Sequence, residues 1–546
     1  MKNNNFVKYK KLISYIGPYK KKRIFVTFLS ALSTIVSAII PFILGTLIDK
    51  VQTNQPLKNI IQYALFISLI GMLNIFLNSL QNYKWHVFKV EFTDYFRSLM
   101  VSSFLKKKTE YCKKNYEDLS SRILQDTEII SKDISVGFPM LFLNMLNLGL
   151  VMFFMVRMSI KLTLVVLFVV PIFTVFFGIM QNSVQSNSIR EREEFSNLTE
   201  SVKEYIDGIF QIKIFKKELF FLNKFKENIK IYEKYLKKMK LFTAVGYGIM
   251  NVTVIMLPII ILILGAIDVH SGKLTLGNLF SFYFYLSFIY EPMQNLTNWF
   301  TNIQISLGMS DRIINFLEED IEDITVGEEI SKVNEIQIKN LSFSYDGKQD
   351  VLKNINFDLQ KGDIVGVIGS SGSGKSTLID ILLKFWSNYS GSILIDGKEL
   401  KNISKDSYYN LVSYLEQNTF LFRGNLKENI TLGNLDDEKF FNSINLSKVD
   451  KFLKDNVTYE FDIESNGKNV SGGEKQRISL ARSIYKDSDL LILDEFTSAL
   501  DTELEKEIVE NIKEISKDKI ILIITHRKEP LSICNKILNM ENFKSS

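Results

Sequence analysis

Gly369 to Thr377 reads GSSGSGKST, between an apolar run ending in Val365-Gly366-Val367-Ile368 and a helical run, Leu378-Ile379-Asp380-Ile381-Leu382-Leu383. The order is strand, glycine loop, helix. Gly369, Gly374, Lys375 and Ser376 fall at the spacing G-x-x-x-x-G-K-[ST], which in that context reads as a phosphate cradle. Glycines let the backbone curl so that several N–H groups converge on one anion, and the following helix N-terminus adds partial positive charge. Lys375 is placed to reach the β- and γ-phosphates of a nucleoside triphosphate and the Ser376 hydroxyl to ligate Mg²⁺. Ser370, Ser371, Gly372, Ser373 and Thr377 complete the candidate contact.

Outward from this loop, the chain divides by composition. Its 546 residues are 46% hydrophobic, with 42 Phe and 22 Tyr, and a length of this size predicts more than one domain. Long apolar runs fill the first part, and alternating charged and apolar residues fill the rest. A helix that spans about 30 Å of hydrocarbon needs roughly 20 mostly apolar residues. Six stretches qualify, at about 24–48, 60–80, 136–156, 162–180, 242–267 and 279–299. Arg157 to Lys161 forces a tight hairpin between the third and fourth. The predicted layout is a membrane domain over 1–320, a linker over 321–334 and a soluble α/β domain over 335–546.

Basic, helix-patterned segments separate spans two and three and spans four and five, with Lys106-Lys107-Lys108, Lys216-Lys217 and Lys237-Lys238. With Lys20 to Arg23, these place the N-terminus, both long segments and the soluble domain in the cytoplasm of a multi-pass cell-membrane protein. The start has no apolar core before a small-residue cleavage site and does not read as a removable signal peptide. A net charge of +5 gives no case for nucleic-acid binding. Three His and two Cys, Cys112 and Cys534, provide no zinc-ligand spacing.

Polar residues inside spans usually face a bundle interior or a cavity. Asn74, Asn78, Gln81 and Trp85 share one helix face at i, i+4, i+7, i+11, and Glu291, Asn295, Asn298 and Asn302 repeat the spacing. Two such stripes suggest a shared aqueous path for substrate; interhelical hydrogen bonding that only ties the bundle is the alternative. Glu291 precedes Pro292, so it could instead serve freed backbone donors at a helix break.

In the soluble part, Tyr345 follows the strand-like IQIKNLSFSY, and Gln417 lies in YLEQNTFLF. SGGEKQR (Ser471 to Arg477), LLILDE (Leu490 to Glu495), Ser498-Ala499-Leu500-Asp501 and Ile523-Ile524-Thr525-His526 follow. Together with the glycine loop these resemble the ATP-binding cassette family, and the chain is similar to its exporter half-transporters. That resemblance implies an all-α six-helix transmembrane domain (the type IV exporter fold) followed by an α/β P-loop NTPase cassette. It implies Tyr345 stacked on adenine, Gln417 at Mg²⁺ and the attacking water, and Asp494 as a hard oxygen ligand of Mg²⁺. It also implies Glu495 as the base that orients water, His526 as the switch at the γ-phosphate and holding Glu495, and Asp501 in communication across a dimer. Ser471, Gly472 and Gly473, with Glu474 where the family has Gln, form a second nest that closes over the nucleotide of a partner copy.

One cassette per chain then means a homodimer, or a heterodimer with a related half-transporter, in membrane lipid. The resemblance also implies ATP-driven export of a peptide, drug-like or lipidic compound by alternating access. An importer of a siderophore-like compound and an ATPase-coupled sensor are the alternatives. The cytoplasmic tips that would touch the cassettes lie near Glu110 to Asn115 and Ile206 to Ile212. The strand-turn pair that often ends such cassettes is missing or minimal, and no peptidase-like domain is expected ahead of the first span.

Overall fold

The computed structural model describes residues 8, 10–108, 111, 119, 120, 122–318, 321–345, 347, 349–451 and 459–543, without the side chains of 173, 174, 177, 181, 182, 250, 253, 297, 298, 300–302, 304 and 305. The chain forms two compact units, Met1–Leu105 with Glu117–Glu319, and Lys106–Tyr116 with Asp320–Ser546.

Among the described residues, the first unit is built on six long helices: α1 (Lys20–Gln52), α2 (Leu57–Phe104), α3 (Thr127–Met158), α4 (Ile160–Asp207), α5 (Glu218–His270) and α6 (Leu276–Glu318). Each holds one of the six apolar stretches and then runs beyond it; α5 has 53 residues, about 80 Å of helix at 1.5 Å per residue. Ser159 alone separates α3 from α4. Its backbone is extended, and its hydroxyl accepts from Leu162 N at 3.3 Å, so one residue ends one helix and caps the next. Among the described residues, Gly17–Gln52, Leu57–Phe104, Arg122–Met158 and Glu218–His270 are long and apolar enough to cross a membrane. Over the same residues α4 has a shorter apolar stretch, Ile160–Ile172, and the apolar run of α6 is broken by Glu291, Gln294 and Asn295.

A core of Val151, Met155, Leu162, Leu257, Ile261, Phe282 and Tyr285 joins α3, α4, α5 and α6. Leu65, Leu69, Met72 and Phe76 of α2 stay exposed, as expected of a surface whose solvent is lipid. α1 and α6 cross closely: a Cβ on Gly277 would lie 2.0 Å from the Gly45 carbonyl oxygen. Asp49 caps α6 there, accepting from Gly277 N at 2.7 Å and Thr275 Oγ1 at 2.8 Å.

Among the described residues the second unit has two main sheets and a short antiparallel pair, β7 (Gly424–Asn425) with β8 (Asp462–Ile463). An antiparallel sheet runs in the order β2-β1-β4-β5, from β1 (Glu335–Phe343), β2 (Leu352–Gln360), β4 (Ser390–Ile395) and β5 (Lys398–Glu399). A parallel sheet has the order β11-β3-β10-β9-β6, from β3 (Ile364–Ile368), β6 (Val412–Leu415), β9 (Leu490–Asp494), β10 (Ile520–Ile524) and β11 (Lys536–Asn539). β9 and β10 are buried along their whole length, which explains their unbroken apolar sequence: a parallel sheet is covered on both faces. β10 lies between β3 and β9, with Ile524 beside Val367 and Asp494. The loops that leave these three strands therefore open on one edge, where ligands of open α/β sheets bind.

Candidate functional site

At that edge the glycine loop joins β3 to α7 (Lys375–Leu382). Gly374, at the N-cap, has φ 90°, and a Cβ there would lie 2.4 Å from Leu352 Cδ2; a Cβ on Gly369 would lie 2.5 Å from Ser373 Oγ. Both positions thus need glycine, for backbone conformation and for space. The Lys375 ammonium donates to the carbonyls of Gly369 at 2.5 Å and Ser370 at 3.0 Å. Ser371, Gly372 and Ser376 are exposed, while Ser373 and Thr377 are buried. Tyr345 lies two residues past the end of β1 and half exposed. Its hydroxyl is 2.9 Å from Thr377 Oγ1, and its ring meets Trp386 edge-on at 5.2 Å. The tyrosine is thereby tied to the helix that carries the loop.

The carboxylates sit on the neighbouring strands. Asp494 ends β9 at 8% exposure, and its side chain makes no hydrogen bond among the described residues. Burial, then the adjacent Glu495 charge, pushes its pKa up to about 6 against the opposing pull of Lys375. Glu495 has φ 47°, a left-handed conformation that costs a non-glycine residue about 1–2 kcal/mol. Three hydrogen bonds hold it: Glu495 N to Ile524 O at 2.9 Å, Ser498 N to Glu495 O at 3.0 Å, and Gln476 Nε2 to Glu495 O at 2.6 Å. Strain so restrained is common at functional sites. Gln417 Nε2 donates to Glu495 Oε2 at 2.9 Å, leaving the Gln417 carbonyl oxygen for another partner. His526 is exposed just beyond β10 and makes no hydrogen bond to Glu495 among the described residues; the side chain on the Glu495 carboxylate is that of Gln417.

Asp494, Ser376 and Gln417 offer hard oxygen donors of three kinds, the chemistry Mg²⁺ requires. A buried Asp494 carboxylate that makes no hydrogen bond among the described residues fits that ion.

Ser471 is the N-cap of α8 (Gly472–Tyr485) and closes a capping box: Ser471 Oγ accepts from Glu474 N at 3.4 Å, and Glu474 Oε2 accepts from Ser471 N at 2.7 Å. Glu474 thus orders the turn that presents Gly472 and Gly473. Asp501 is the N-cap of α9 (Thr502–Ile515) and accepts from Leu504 N at 2.9 Å.

Two site residues escape sequence reasoning. Gln476 is 3% exposed; besides Glu495 O it reaches Ser498 Oγ at 3.0 Å and accepts from Ala499 N at 3.0 Å, clamping α8 to the loop after β9. Its place within SGGEKQR was the available signal. Glu541, in the turn after β11, accepts from Ser370 N of the glycine loop at 2.5 Å. No motif marks it, since it lies 171 positions away.

In the helical unit, Asn74 and Asn78 turn to α1. Ser37 Oγ donates to Asn74 Oδ1 at 2.8 Å and Ser33 Oγ to Asn78 Oδ1 at 2.7 Å, so these asparagines tie helices together. Asn78, Gln81 and Glu291 also line one cavity of about 520 Å³, with Ser30, Thr34, Asn144 and Asn147 among its other polar walls. Asn74 and Asn295 are not in that lining, and the side chains of Asn298 and Asn302 lie outside the described residues, as do 110 and 112–115. Ile209–Ile214 forms a short helix, whose Phe210 and Ile214 are exposed.

A P-loop cassette with paired carboxylates at its sheet edge, carried on a bundle of membrane-length helices, defines a nucleotide-driven membrane transporter. Residues 24–293 match the model of the ABC transporter transmembrane region and residues 352–498 that of the ABC transporter cassette. A candidate multidrug export ATP-binding/permease protein of Bacillus subtilis (strain 168), YgaD, is 28% identical over 98% of this chain and 94% of its own length. A Staphylococcus aureus (strain NCTC 8325 / PS 47) protein with the same description is 30% identical over 79% of this chain and 76% of its own. The ABC transporter B family member 1 of Dictyostelium discoideum is 27% identical over 93% of this chain, which spans 56% of that longer protein. The chain belongs to the ATP-binding cassette transporter family, as a membrane-embedded ATPase.

Proposed function

We propose that this protein exports a peptide, drug-like or lipidic compound across the cell membrane, as a dimer of two copies or of one copy and a related half-transporter. The description of the Bacillus and Staphylococcus relatives as export permeases supports export over import. A polar cavity inside the membrane unit supports moving cargo over sensing alone. The basic segments between spans support a cytoplasmic cassette.

One observation carries the reading: the parallel sheet brings Lys375, Asp494 and Glu495 to one edge, with Gln417 on the Glu495 carboxylate at 2.9 Å. Lys375 exchanges the carbonyls of Gly369 and Ser370 for the β- and γ-phosphates. Tyr345 bears on the adenine. Bound by Asp494, Ser376 and Gln417, Mg²⁺ supplies charge neutralisation at the phosphates. Glu495 orients the attacking water and takes its proton as the new bond forms to the γ-phosphorus and the bond to the ADP oxygen breaks; His526 donates to the γ-phosphate. The nest at Ser471, Gly472 and Gly473 faces the nucleotide held by the partner copy, with Asp501 at that boundary. Closure of the cassettes then turns the bundle outward.

The test is Glu495→Gln in purified full-length protein. Hydrolysis falls by about 10²–10⁴-fold, the usual contribution of a general base, while binding of a fluorescent ATP analogue persists. Brisk phosphate release by that variant removes Glu495 from the reaction.

A further inference from the structure

The cavity of about 520 Å³ among α1, α2, α3 and α6 has a one-sided chemistry. Glu291 is the one charged residue among the described residues of its lining. No hydrogen bond or ion pair engages that carboxylate among the described residues, so it does not serve the helix break at Pro292. A charge at membrane depth without a partner is costly, and this one faces open space.

A neighbouring amide adds an acceptor of the same sense. Asn144 gives its Nδ2 to the Met140 carbonyl at 2.8 Å, which leaves its amide oxygen over. Meanwhile the indole N–H of Trp85 is already used, on Ser30 Oγ at 2.7 Å. The aromatic rings of Trp85 and Phe288 supply flat apolar walls. An acceptor left unmatched is penalised by about 1–3 kcal/mol, and more when it is charged, so the occupant that satisfies Glu291 brings positive charge and N–H donors.

Resting on the export reading, we propose that the cavity binds an organic ammonium or guanidinium compound of drug size, with Glu291 pairing the cationic head, Asn144 accepting from its N–H groups, and the rings of Trp85 and Phe288 against its apolar body. The volume suits a ligand of that size. A neutral or anionic compound of equal shape leaves Glu291 unmatched.

Equilibrium binding to the detergent-solubilised full-length protein at pH 7 tests this with three probes of one skeleton: 4-(biphenyl-4-yl)butylamine, its neutral N-acetyl amide, and the corresponding biphenylpentanoate. The amine binds wild type at least about tenfold tighter than either analogue, a difference of about 1.4 kcal/mol. Glu291→Gln abolishes that preference, and Glu291→Asp restores most of it. Equal binding of amine and amide by wild type overturns the proposal without any variant, as does a preference that survives Glu291→Gln. These measurements need no nucleotide. ATP-dependent accumulation of other compounds in inside-out vesicles, with no amine preference, would remove the cation site and keep export; amine preference without accumulation of any compound would do the reverse.

Discussion

Asp494 is the residue whose replacement should separate what the fold wants from what the chemistry needs. Its carboxyl is buried at the end of β9 beside Glu495, and its pKa rises from the usual 3.8 to about 6. Two units at 1.36 kcal/mol each set a ceiling of about 3 kcal/mol on the cost of ionising it in the folded, metal-free protein. Water at the open sheet edge screens part of that, leaving about 1–2 kcal/mol. Between about pH 4 and pH 6 the folded state holds this proton and the unfolded state does not. Stability from this group therefore falls as pH rises through that window and levels off above it.

Asp494→Asn keeps the shape and removes the titration. In EDTA at pH 7 the variant should be the more stable, by about 2–8 °C in the cassette's thermal midpoint at about 2–4 °C per kcal/mol, and it should lose that part of the pH slope. In saturating Mg²⁺ and ATP the order should invert, because wild type gains about 2.7 kcal/mol at a hundredfold excess over the dissociation constant and the variant gains less. Scanning fluorimetry of solubilised protein from about pH 4 to 8, with and without Mg²⁺·ATP, reads both. A midpoint lowered by Asp494→Asn in EDTA, or an unchanged pH slope, refutes the reasoning.

Two further substitutions probe the supports of the site. Glu474→Ala opens the capping box of α8 and should cost about 1 kcal/mol, whereas Glu474→Gln, which can still accept from Ser471 N, should stay within a few tenths; chemical denaturation of the pair checks the ranking. Glu541→Ala frees Ser370 N–H in the glycine loop and should raise the KM for ATP about three- to tenfold with little change in kcat, and Glu541→Gln should recover most of the affinity; steady-state phosphate release reads the split.

Much was legible without coordinates because it is local. The strand–loop–helix around Gly369 to Thr377, the apolar β9 ending in Asp494 and Glu495, and the apolar stretches of the six long helices are all written in contiguous residues with periods set by backbone geometry. Even Ser159, buried in the expected hairpin of 157–161, needed only its own neighbours to become a cap. Spacing on one helix face likewise singled out Gln81 and Glu291 as inward polar residues.

Pairings between distant segments were decided by the tertiary fold alone. Asn74 and Asn78 looked equivalent to Gln81 on a helical wheel, yet Ser37 and Ser33 of α1 take them up as interhelical ties, while Gln81 donates along its own helix to Asn78 Oδ1. Gln417 rather than His526 engages Glu495, because parallel pairing of β6, β10 and β9 sets which loop meets which strand end. Glu541 reaches the phosphate loop only because β11 lies beside β3. Sequence periodicity carries burial and element type over a few turns; it has no term for which acceptor a donor 100 residues away will find, and that competition is settled only when the helices and strands pack.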